Sequence, residues 1–287
     1  MVILLIVVYG VIPPAFAAFD ISKSGDLTAT TFDELGFDPT GLVGYWQLNG
    51  NAKDSSGYHV DGTIYGATAT TDRFEVANGA MNFNGSNQWI YCGNVASLNV
   101  SGAVITISAW VKANSFSGWG RIVSKLGNES GFWNGYAMLV ASNSVLLQIY
   151  NTSFGNEAVV AYTMPLHEFH QVTYVYNSVN KKLYVDGSYI GQTSSTAAVG
   201  TTTSNLNIGR GGDNTQYFNG SIDEVKIFSR ALSASEILAM YNHEKGKFSV
   251  GKDGKAKAVS FVEDPALPVQ MRSKKQSLTV KGHLIQQ

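Results

Sequence analysis

The stretch GSIDEVKIFSRALSASEI, residues 220–237, decides the fold class of this chain. Its first half is rich in β-branched residues and predicts a strand, after which a short turn leads into a helix. Ser233 and Glu236 stand three residues apart, the spacing of a capping box in which each side chain bonds the other's backbone. Leu232 and Ile237 occupy the positions of a hydrophobic staple around this box. The stretch therefore predicts a strand followed by one short, capped helix.

The residues upstream of this stretch form many short strand-like runs. Residues 104–111, 145–150 and 171–176 are rich in β-branched and aromatic side chains, and Gly, Asn, Ser and Thr separate the runs. Asp186-Gly187 lies inside another such region and supplies the positive φ values that a type I′ hairpin turn requires. Many short strands with polar turns predict an all-β sandwich or jelly roll with one short C-terminal helix, and argue against an α/β enzyme.

Seven segments in a fixed order resemble the laminin-G-like, concanavalin A-like jelly rolls of bacteria and phages. They are residues 44–48, 54–63, 79–85, 107–112, 182–187, 206–209 and 222–225. The resemblance implies a jelly-roll domain over residues 38–244. The segment 167–170 departs from the family, which often has a Trp-His pair there, although Phe169 keeps an aromatic residue for the core.

Two similar segments flank this domain. Residues 19–34 and 248–263 align without gaps and share Phe, Lys, Gly, Ala, Phe and Glu. Each predicts a β-hairpin with a K-x-G turn, in extensions over residues 18–37 and 245–287. A lone hairpin is marginal in water, so we expect these to pair with each other, dock on the jelly roll, or pair with another chain. They resemble short segments of phage tail-fibre and virion appendage proteins, which implies self-association.

The N-terminal residues 1–17 resemble a secretory signal. An apolar run is followed by Pro13-Pro14 and by the small-residue site Ala15-Phe16-Ala17, although the usual charged start is missing. The alternative is a buried strand that the mature protein retains. The run is too short to cross a bilayer, so the sequence predicts no stable membrane span. The signal-like segment and the low charged fraction of 14% together favour an extracellular protein or one on a virion surface.

The charge distribution and the cysteine content argue against a nucleic-acid partner and exclude an intrachain disulfide. Residues 244–287 are basic while the whole chain has a formal charge of −1. The lysines of this tail are spaced along the sequence, which favours a solvated strand face, and we predict no nucleic-acid partner. Cys92 is the single cysteine, so no intrachain disulfide forms, and it is interpreted as a small buried hydrophobe.

The sequence lacks the usual catalytic patterns. Glycosidases of concanavalin A-like fold need two carboxylates about 5 to 9 Å apart, which an E-x-D spacing on one strand face supplies. No Glu has this spacing, and the adjacent Asp223 and Glu224 are expected to point to opposite faces. His167 and His170 are likewise expected on opposite faces, which argues against a zinc pair. No nucleophile elbow, phosphate loop or H-E-x-x-H motif occurs.

A structural calcium ion is implied by the family resemblance. The candidate ligands are Asp54 and Asp223, with backbone oxygens near Gly57 and His59. Calcium takes six to eight oxygen ligands, and carbonyl groups can supply those that carboxylates do not. The residues alone leave another interpretation open, in which Asp54 shapes its loop as an Asx turn and Asp223 is a hydrogen-bonded strand carboxylate.

Aromatic and amide side chains in two loops are the candidates for a sugar-binding surface. They are Trp119, Trp133, Tyr136, Asn134 and Tyr217. Aromatic ring faces pack on sugar rings, and amides fix the hydroxyl groups. The alternative is that these rings cap the open ends of the core. Trp46 and Trp110 lie on clear strands and are predicted to be core residues.

The sequence therefore predicts a non-catalytic glycan-binding or adhesion module on a cell surface or virion appendage. Its expected partner is a glycan or cell-surface receptor. One alternative is a structural protein of a virion or fibre, in which the flanking hairpins pair between chains. Another is a glycoside hydrolase or lyase, an alternative that the fold alone favours.

Overall fold

The structure is a computed structural model, and it describes most of the chain between residues 37 and 245 together with four short strands outside that range. The described residues are 19–21, 27–29, 37–100, 102, 104–116, 118–129, 132–141, 144–151, 154–160, 162–195, 198–245, 248–250 and 256–258. The chain divides into two compact units, Pro39–Tyr241 and a second that combines Met1–Asp38 with Asn242–Gln287. The signal-like segment 1–17 lies outside the described residues.

The described elements are mostly strands. They are β1 (Phe19–Ile21), β2 (Leu27–Ala29), β3 (Leu42–Trp46), β4 (Thr63–Tyr65), β5 (Thr68–Thr70), β6 (Ala80–Asn84), β7 (Trp89–Gly93), a 3₁₀ turn (Ala96–Leu98), β8 (Val104–Ala113), β9 (Gly120–Glu129), β10 (Phe132–Ala141), β11 (Ser144–Asn151), β12 (Phe154–Val159), β13 (His170–Asn177), β14 (Asn180–Val185), β15 (Ser188–Ser194), β16 (Leu206–Ile208), β17 (Asn219–Phe228), α1 (Ala234–Lys245), β18 (Phe248–Val250) and β19 (Ala256–Ala258).

Two antiparallel sheets of the unit Pro39–Tyr241 form a sandwich. One sheet has seven strands in the order β12-β11-β10-β9-β16-β7-β4. The other has eight strands in the order β15-β14-β13-β8-β17-β6-β5, and β3 pairs with its strand β17. Alternate residues of both sheets meet in one hydrophobic core, for example Ile107 from the eight-stranded sheet and Ile90 from the seven-stranded sheet. The predicted all-β sandwich with one short C-terminal helix is thus confirmed.

The local features that led to this prediction are present. The Ser233 amide donates to Glu236 Oε2 at 2.7 Å, and the Glu236 amide donates to Ser233 Oγ at 3.2 Å, so the capping box starts α1. Asp186 and Gly187 both have positive φ, +51° and +74°, in the turn between β14 and β15. Each flanking segment contains a two-stranded antiparallel sheet, β1–β2 and β18–β19. The pairing of these hairpins between chains stays a prediction.

The outer face of the eight-stranded sheet, away from the core, is buried where α1 packs on it. Trp110 is buried on this face, where its ring stacks on Tyr241 of α1 at a centroid distance of 5.7 Å. Its neighbours Ala109 and Val111 point into the core, so Trp110 is buried as predicted but under the helix instead of between the sheets. Trp46 does lie in the core, where its Nε1 donates to the Val60 carbonyl at 2.9 Å.

A β-bulge in β17 corrects the expected orientation of two carboxylates. The register with β8 shifts between Asp223 and Lys226, and Glu224 has a φ of +52°. Ile222 and Val225 both belong to the core, and the two residues between them lie on the other side, since a bulge breaks the two-residue alternation. The prediction that Asp223 and Glu224 point to opposite faces is therefore wrong.

Candidate functional site

The two exposed tryptophans lie at opposite ends of one β-ladder. Trp119 directly precedes the first residue of β9, whereas Trp133 of β10 pairs with Asn128 near the last residue of β9. At about 3.3 Å per residue, this places the two backbones roughly 25 to 30 Å apart. Both rings are partly exposed, at 38% and 36%. A single short saccharide therefore cannot contact both, although the sequence grouped them in one surface.

Two further candidates of that surface are buried. Tyr136 is a core residue, and its hydroxyl donates to the Leu98 carbonyl at 3.0 Å. Burial raises the pKa of the Tyr136 hydroxyl far above its usual value, so it stays protonated. Asn134 is buried as well. Alternate residues of a strand share one face, so Asn134 lies on the same inner side of β10 as the core residue Tyr136. The prediction that Tyr136 and Asn134 line an exposed sugar surface is therefore wrong.

The structure instead assembles a different aromatic surface at the end of the sheet where Trp119 lies. Tyr65 of β4 pairs with Trp89 of β7, and their rings stack at a centroid distance of 4.5 Å with an angle of 8°. The ring of Tyr217 lies 6.3 Å from that of Trp89. We call Tyr65, Trp89, Tyr91 and Tyr217 the aromatic patch. It brings together one predicted residue, Tyr217, with three that the sequence did not single out.

The alternation of β7 turns the aromatic patch away from the core. Ile90 and Cys92 are core residues, so Trp89 and Tyr91 point outward on the seven-stranded sheet. Burial raises the pKa of the Cys92 thiol, as expected for a buried, unreactive side chain. Tyr91 is 37% exposed, and its hydroxyl donates to Asn205 Oδ1 at 3.1 Å. This alternation is visible in the sequence and could have identified Trp89 and Tyr91 as outward-facing rings.

The aromatic patch has a packed centre and an exposed rim. Arg210 lies over the Trp89 ring with its guanidinium carbon 3.9 Å from the ring centroid. Together with the stacked Tyr65 ring, this leaves little of the Trp89 surface free. Tyr65 itself is 45% exposed. The centre therefore holds the rings in fixed positions, and Tyr65 offers its own ring to solvent.

The loop that carries Arg210 and Tyr217 is held at both ends. Gly209 follows β16 with a φ of +86°, and a Cβ at this position would lie 2.5 Å from the Phe83 ring, so only glycine fits. The Gly209 amide donates to the Ile122 carbonyl at 3.0 Å. At the other end, the Arg121 amide donates to the Gln216 carbonyl at 2.9 Å. The loop is thus anchored to the end of the sheet.

Trp119 is connected to this loop through Arg121. The Arg121 guanidinium lies 5.9 Å from the Trp119 ring centroid. Arg121 Nε also donates to Gln216 Oε1 at 2.6 Å, and Nη1 donates to Gln148 Oε1. Trp119 and Tyr217 are thereby neighbours across one arginine. The structure therefore brings these two predicted residues to one end of the sheet, and leaves Trp133 at the other end.

The proposed calcium ligand Asp54 has its carboxylate occupied by hydrogen bonds. Its Oδ1 accepts the Tyr45 and Ser56 amides, both at 2.9 Å. Its Oδ2 accepts the Val60 amide at 2.9 Å and the Ser56 hydroxyl at 2.7 Å. Gly57 and His59 have φ values of +90° and +57° in the turn that these bonds close. Asp54 therefore shapes its own loop as an Asx turn.

The second proposed ligand, Asp223, is bonded to a cation of the protein. Its Oδ2 lies 2.6 Å from Arg73 Nη1, and both side chains are buried. A calcium ion at Asp223 would stand beside the Arg73 guanidinium, which would repel it. Within the described ranges, no group of three or more His, Cys, Asp or Glu side chains could hold a metal ion. These residues do not fit a shared calcium site.

The remaining charged groups of interest form internal pairs. Lys226 Nζ lies 3.0 Å from Glu224 Oε2, which also accepts the Tyr45 hydroxyl at 2.5 Å. His170 Nδ1 lies 2.8 Å from Asp186 Oδ2, and this hydrogen bond raises the pKa of His170 although burial opposes it. His167 is exposed in the preceding loop. These groups stabilise strands and turns of the sandwich.

Comparisons with known proteins place the fold in a family of binding and hydrolytic domains. Residues 83–238, over half of the chain, match the Laminin_G_3 model, described as the concanavalin A-like lectin/glucanases superfamily. No curated protein sequence matches the chain. Among the residues that the structure describes, no helix is long and apolar enough to cross a bilayer.

Similar solved structures agree in fold. Domain 4 of AbnA, an extracellular arabinanase from Geobacillus stearothermophilus in complex with arabinotriose, has a TM-score of 0.52 and 17% identity, over 71% of this chain and 100% of that chain. Botulinum neurotoxin type C, which interacts with two ganglioside molecules, has a TM-score of 0.54 and 15% identity over 74% of this chain. The binding domain of botulinum neurotoxin DC in complex with rat synaptotagmin II has a TM-score of 0.54 and 15% identity over 70% of this chain.

The match to the toxin structures covers only part of them. It spans about half of their length, 53% for type C and 51% for the DC binding domain. At these identities the likeness shows the fold alone. The family itself is shown by the sequence model, and the chain belongs to the laminin-G-type family of the concanavalin A-like lectin/glucanases superfamily.

Proposed function

We propose that this domain is a glycan-binding module and that the aromatic patch is its binding surface. The observation that carries the proposal is the set of rigid, partly exposed rings at one end of the seven-stranded sheet, with Tyr65 stacked on Trp89 at 4.5 Å. A ring that is already held in place loses little conformational entropy when a sugar packs on it. The Asn205 amide, which accepts the Tyr91 hydroxyl at 3.1 Å, is a polar group beside the rings and is suited to a hydroxyl group of the same sugar.

The family and the similar structures support a binding role. One of the similar structures is a domain that holds arabinotriose, and another belongs to a toxin that interacts with gangliosides. A third is a toxin binding domain in complex with a synaptotagmin. We favour a glycan over a protein receptor for this chain because the patch offers stacked rings beside the Asn205 amide.

The proposal assigns no catalytic role to the buried carboxylates. Asp223 is paired with Arg73, and Glu224 is paired with Lys226. A general acid or nucleophile of a glycosidase must face the substrate, whereas these groups are buried among internal partners. We therefore expect no release of reducing ends from any polysaccharide that the protein binds. An increase in reducing ends above that of the heat-inactivated protein would contradict a purely binding role.

The decisive experiment compares two exposed aromatic positions. Tyr65→Ala removes an exposed ring of the patch, and Trp133→Ala removes an exposed ring at the opposite end of β9. We expect Tyr65→Ala to weaken glycan binding at least about tenfold, because central aromatic contacts carry most of the energy of an interface. Trp133→Ala should leave the affinity unchanged. A glycan array followed by calorimetric titration of the best ligand measures both.

The matched design also shows how the proposal could fail. Equal binding by the parent protein and Tyr65→Ala would exclude the aromatic patch as the binding surface. A loss confined to Trp133→Ala would move the site to the other end of the ladder. Unfolding temperatures of both variants should stay close to that of the parent protein, since both rings are partly exposed.

We propose that the module lies outside the cell or on a virion surface. We also propose a second role, in assembly, for the flanking hairpins. β1–β2 and β18–β19 are separate two-stranded sheets that share one sequence pattern, and an isolated hairpin gains stability when it pairs further. Ser249→Pro places proline in the centre of β18, where it removes a backbone donor. If the hairpins pair between chains, light scattering after size-exclusion chromatography will show a smaller oligomer. An unchanged mass would reject the assembly role of β18.

A further inference from the structure

Arg210 is an arginine without a carboxylate partner at the centre of the aromatic patch. Its Nη2 donates to Asn207 Oδ1 at a long 3.4 Å, and its Nε is buried without a hydrogen-bond partner among the described residues. No described carboxylate forms an ion pair with it, whereas Arg73 and Arg230 each pair with one at 2.6 Å. The residue as a whole is partly exposed. The candidate site therefore holds a cation whose charge is not balanced by any described Asp or Glu.

The energetic cost of this arrangement indicates a ligand. Burying part of a guanidinium without an anionic partner is unfavourable, and the Trp89 ring face offsets only a small part of that cost. Asp213 lies in the same loop, but its Oδ1 accepts the Thr215 amide at 3.3 Å, so this carboxylate is directed at the loop backbone. An anionic ligand would supply the partner that no described Asp or Glu provides.

The shape of the guanidinium defines the chemistry of that anion. Arginine presents a planar fork of donors that matches a carboxylate, sulfate or phosphate group. Arg210 lies on Trp89, and the exposed ring of Tyr65 is stacked against the same indole. A ligand above the patch would therefore place an acidic group beside Arg210 while an adjacent sugar ring packs on Tyr65.

We propose that the glycan bound by this module is acidic, and that Arg210 pairs with its carboxylate or sulfate group. The inference rests on the proposed glycan-binding function of the aromatic patch and adds the class of the ligand. Uronic acids, sialic acids and sulfated sugars share the required chemistry. Each has a neutral or less charged counterpart of the same backbone, which makes the charge testable by itself.

The experiment titrates the full-length protein with matched saccharide pairs. The probes are polygalacturonate and its methyl ester, sialyllactose and lactose, and heparan sulfate and its desulfated form. Arg210→Met keeps an apolar chain over Trp89 and removes the charge, and Arg210→Lys keeps the charge but loses the planar fork. Lys182→Met, on β14 of the other sheet, removes the same charge elsewhere and is the control for net charge.

We expect at least one acidic probe to bind about tenfold or more tightly than its counterpart, because a charge-assisted bond to arginine contributes that much. Arg210→Met should abolish this preference, so that the affinities for the acidic probe and its counterpart become equal in the variant. Arg210→Lys should retain part of the preference, and Lys182→Met all of it. The pair that shows the preference identifies which acidic group is bound.

Two results would overturn the inference in different ways. Equal affinity for both members of every pair that binds, or an equal loss for both in Arg210→Met, would reject the acidic ligand and leave the glycan-binding function standing. Absence of binding to every acidic and neutral probe, and to the wider array, would reject the function and the inference together. The circular dichroism spectrum of Arg210→Met should match that of the parent protein. If Arg210→Met fails to fold, the partial loss of preference expected for Arg210→Lys still tests the inference.

Discussion

The outer faces of the two sheets both hold an arginine over an indole ring, but the two arginines differ in their partners. On the eight-stranded sheet, the Arg73 guanidinium lies 4.3 Å from the Trp110 ring centroid and is paired with Asp223 at 2.6 Å. On the seven-stranded sheet, Arg210 lies 3.9 Å from the Trp89 ring centroid and has no such partner among the described residues. Both arginines contact an indole ring in the same way, and they differ in whether a carboxylate is paired with them. Arg73, which is paired with Asp223, has a structural role, whereas Arg210 is available to a ligand.

The two arginines also differ in exposure, since Arg73 lies on a covered face and Arg210 lies beside partly exposed rings. The outer face of the eight-stranded sheet is covered by α1 and the segment before it, which is tied down where the Leu232 amide donates to Thr106 Oγ1 at 3.0 Å. The aromatic patch on the seven-stranded sheet keeps partly exposed rings. A covered face must satisfy its charges internally, because no water or ligand can do so. A charge left open on an exposed face is available for recognition.

The largest expected effect comes from removing a cation on the covered face. Lys226→Met leaves the Glu224 carboxylate buried with its Tyr45 hydrogen bond but without its lysine, and should reduce the free energy of unfolding by about 3 kcal/mol. Arg210→Met, the same change on the open face, should cost less than about 1 kcal/mol. Urea denaturation of both variants measures the difference. The double variant Glu224→Gln/Lys226→Met should regain part of the loss, and equal losses at the two sites would contradict the comparison.

A smaller effect is expected at Asp54, which belongs with the internally satisfied charges. Asp54→Asn replaces an oxygen that accepts two hydrogen bonds with a donor, and should reduce the free energy of unfolding by about 2 kcal/mol. Because the carboxylate is filled by protein donors, the loss should be the same in millimolar calcium and in a chelator. A calcium-dependent rise in the unfolding temperature of the parent protein, absent from Asp54→Asn, would instead restore the calcium site that the family resemblance implies.

The fold could be predicted from the sequence because its signals are local. The capping box at Ser233 and the Asp186-Gly187 turn each depend on residues that are close together in the chain, and both are present. The orientation of Asp223 and Glu224 could not be predicted in this way. The bulge that turns them to one side requires a positive φ at Glu224, a residue type that gives no local signal for it.

The candidate site was only partly predictable because strand pairing assembles it. Loop composition grouped Trp119 with Trp133, but the antiparallel ladder of β9 and β10 separates them. Tyr65, Trp89 and Arg210 are distant in sequence and meet only because β4 and β16 both pair with β7. The pairing of distant strands does not follow from single-sequence periodicity. The outward alternation of β7 was the one available signal, and it identifies exposed rings without their neighbours.

The smallest expected effect concerns the pair of His170 and Asp186 on the eight-stranded sheet. The hydrogen bond to Asp186 raises the pKa of His170, with further support from the charge of Asp186 and of Glu168. A raised folded-state pKa contributes stability that is fully present below the unfolded value near 6.5 and is lost as the pH rises through the folded value. His170→Gln should therefore cost more stability at pH 5.5 than at pH 8.5. The difference should stay below about 1 kcal/mol because the pair is partly exposed to solvent.

Urea denaturation of the parent protein and His170→Gln at these two pH values measures this difference, with His167→Gln as a control at an exposed histidine. If the cost of His170→Gln were larger at pH 8.5, the neutral ring would be the stabilising form and the pair would not act as an ion pair. Glycan affinity should be independent of His170 at both pH values, because the pair lies on the sheet opposite the aromatic patch. A pH-dependent change in affinity that vanishes in His170→Gln would show that the two faces are coupled, and would break the division between structural and ligand-binding charges.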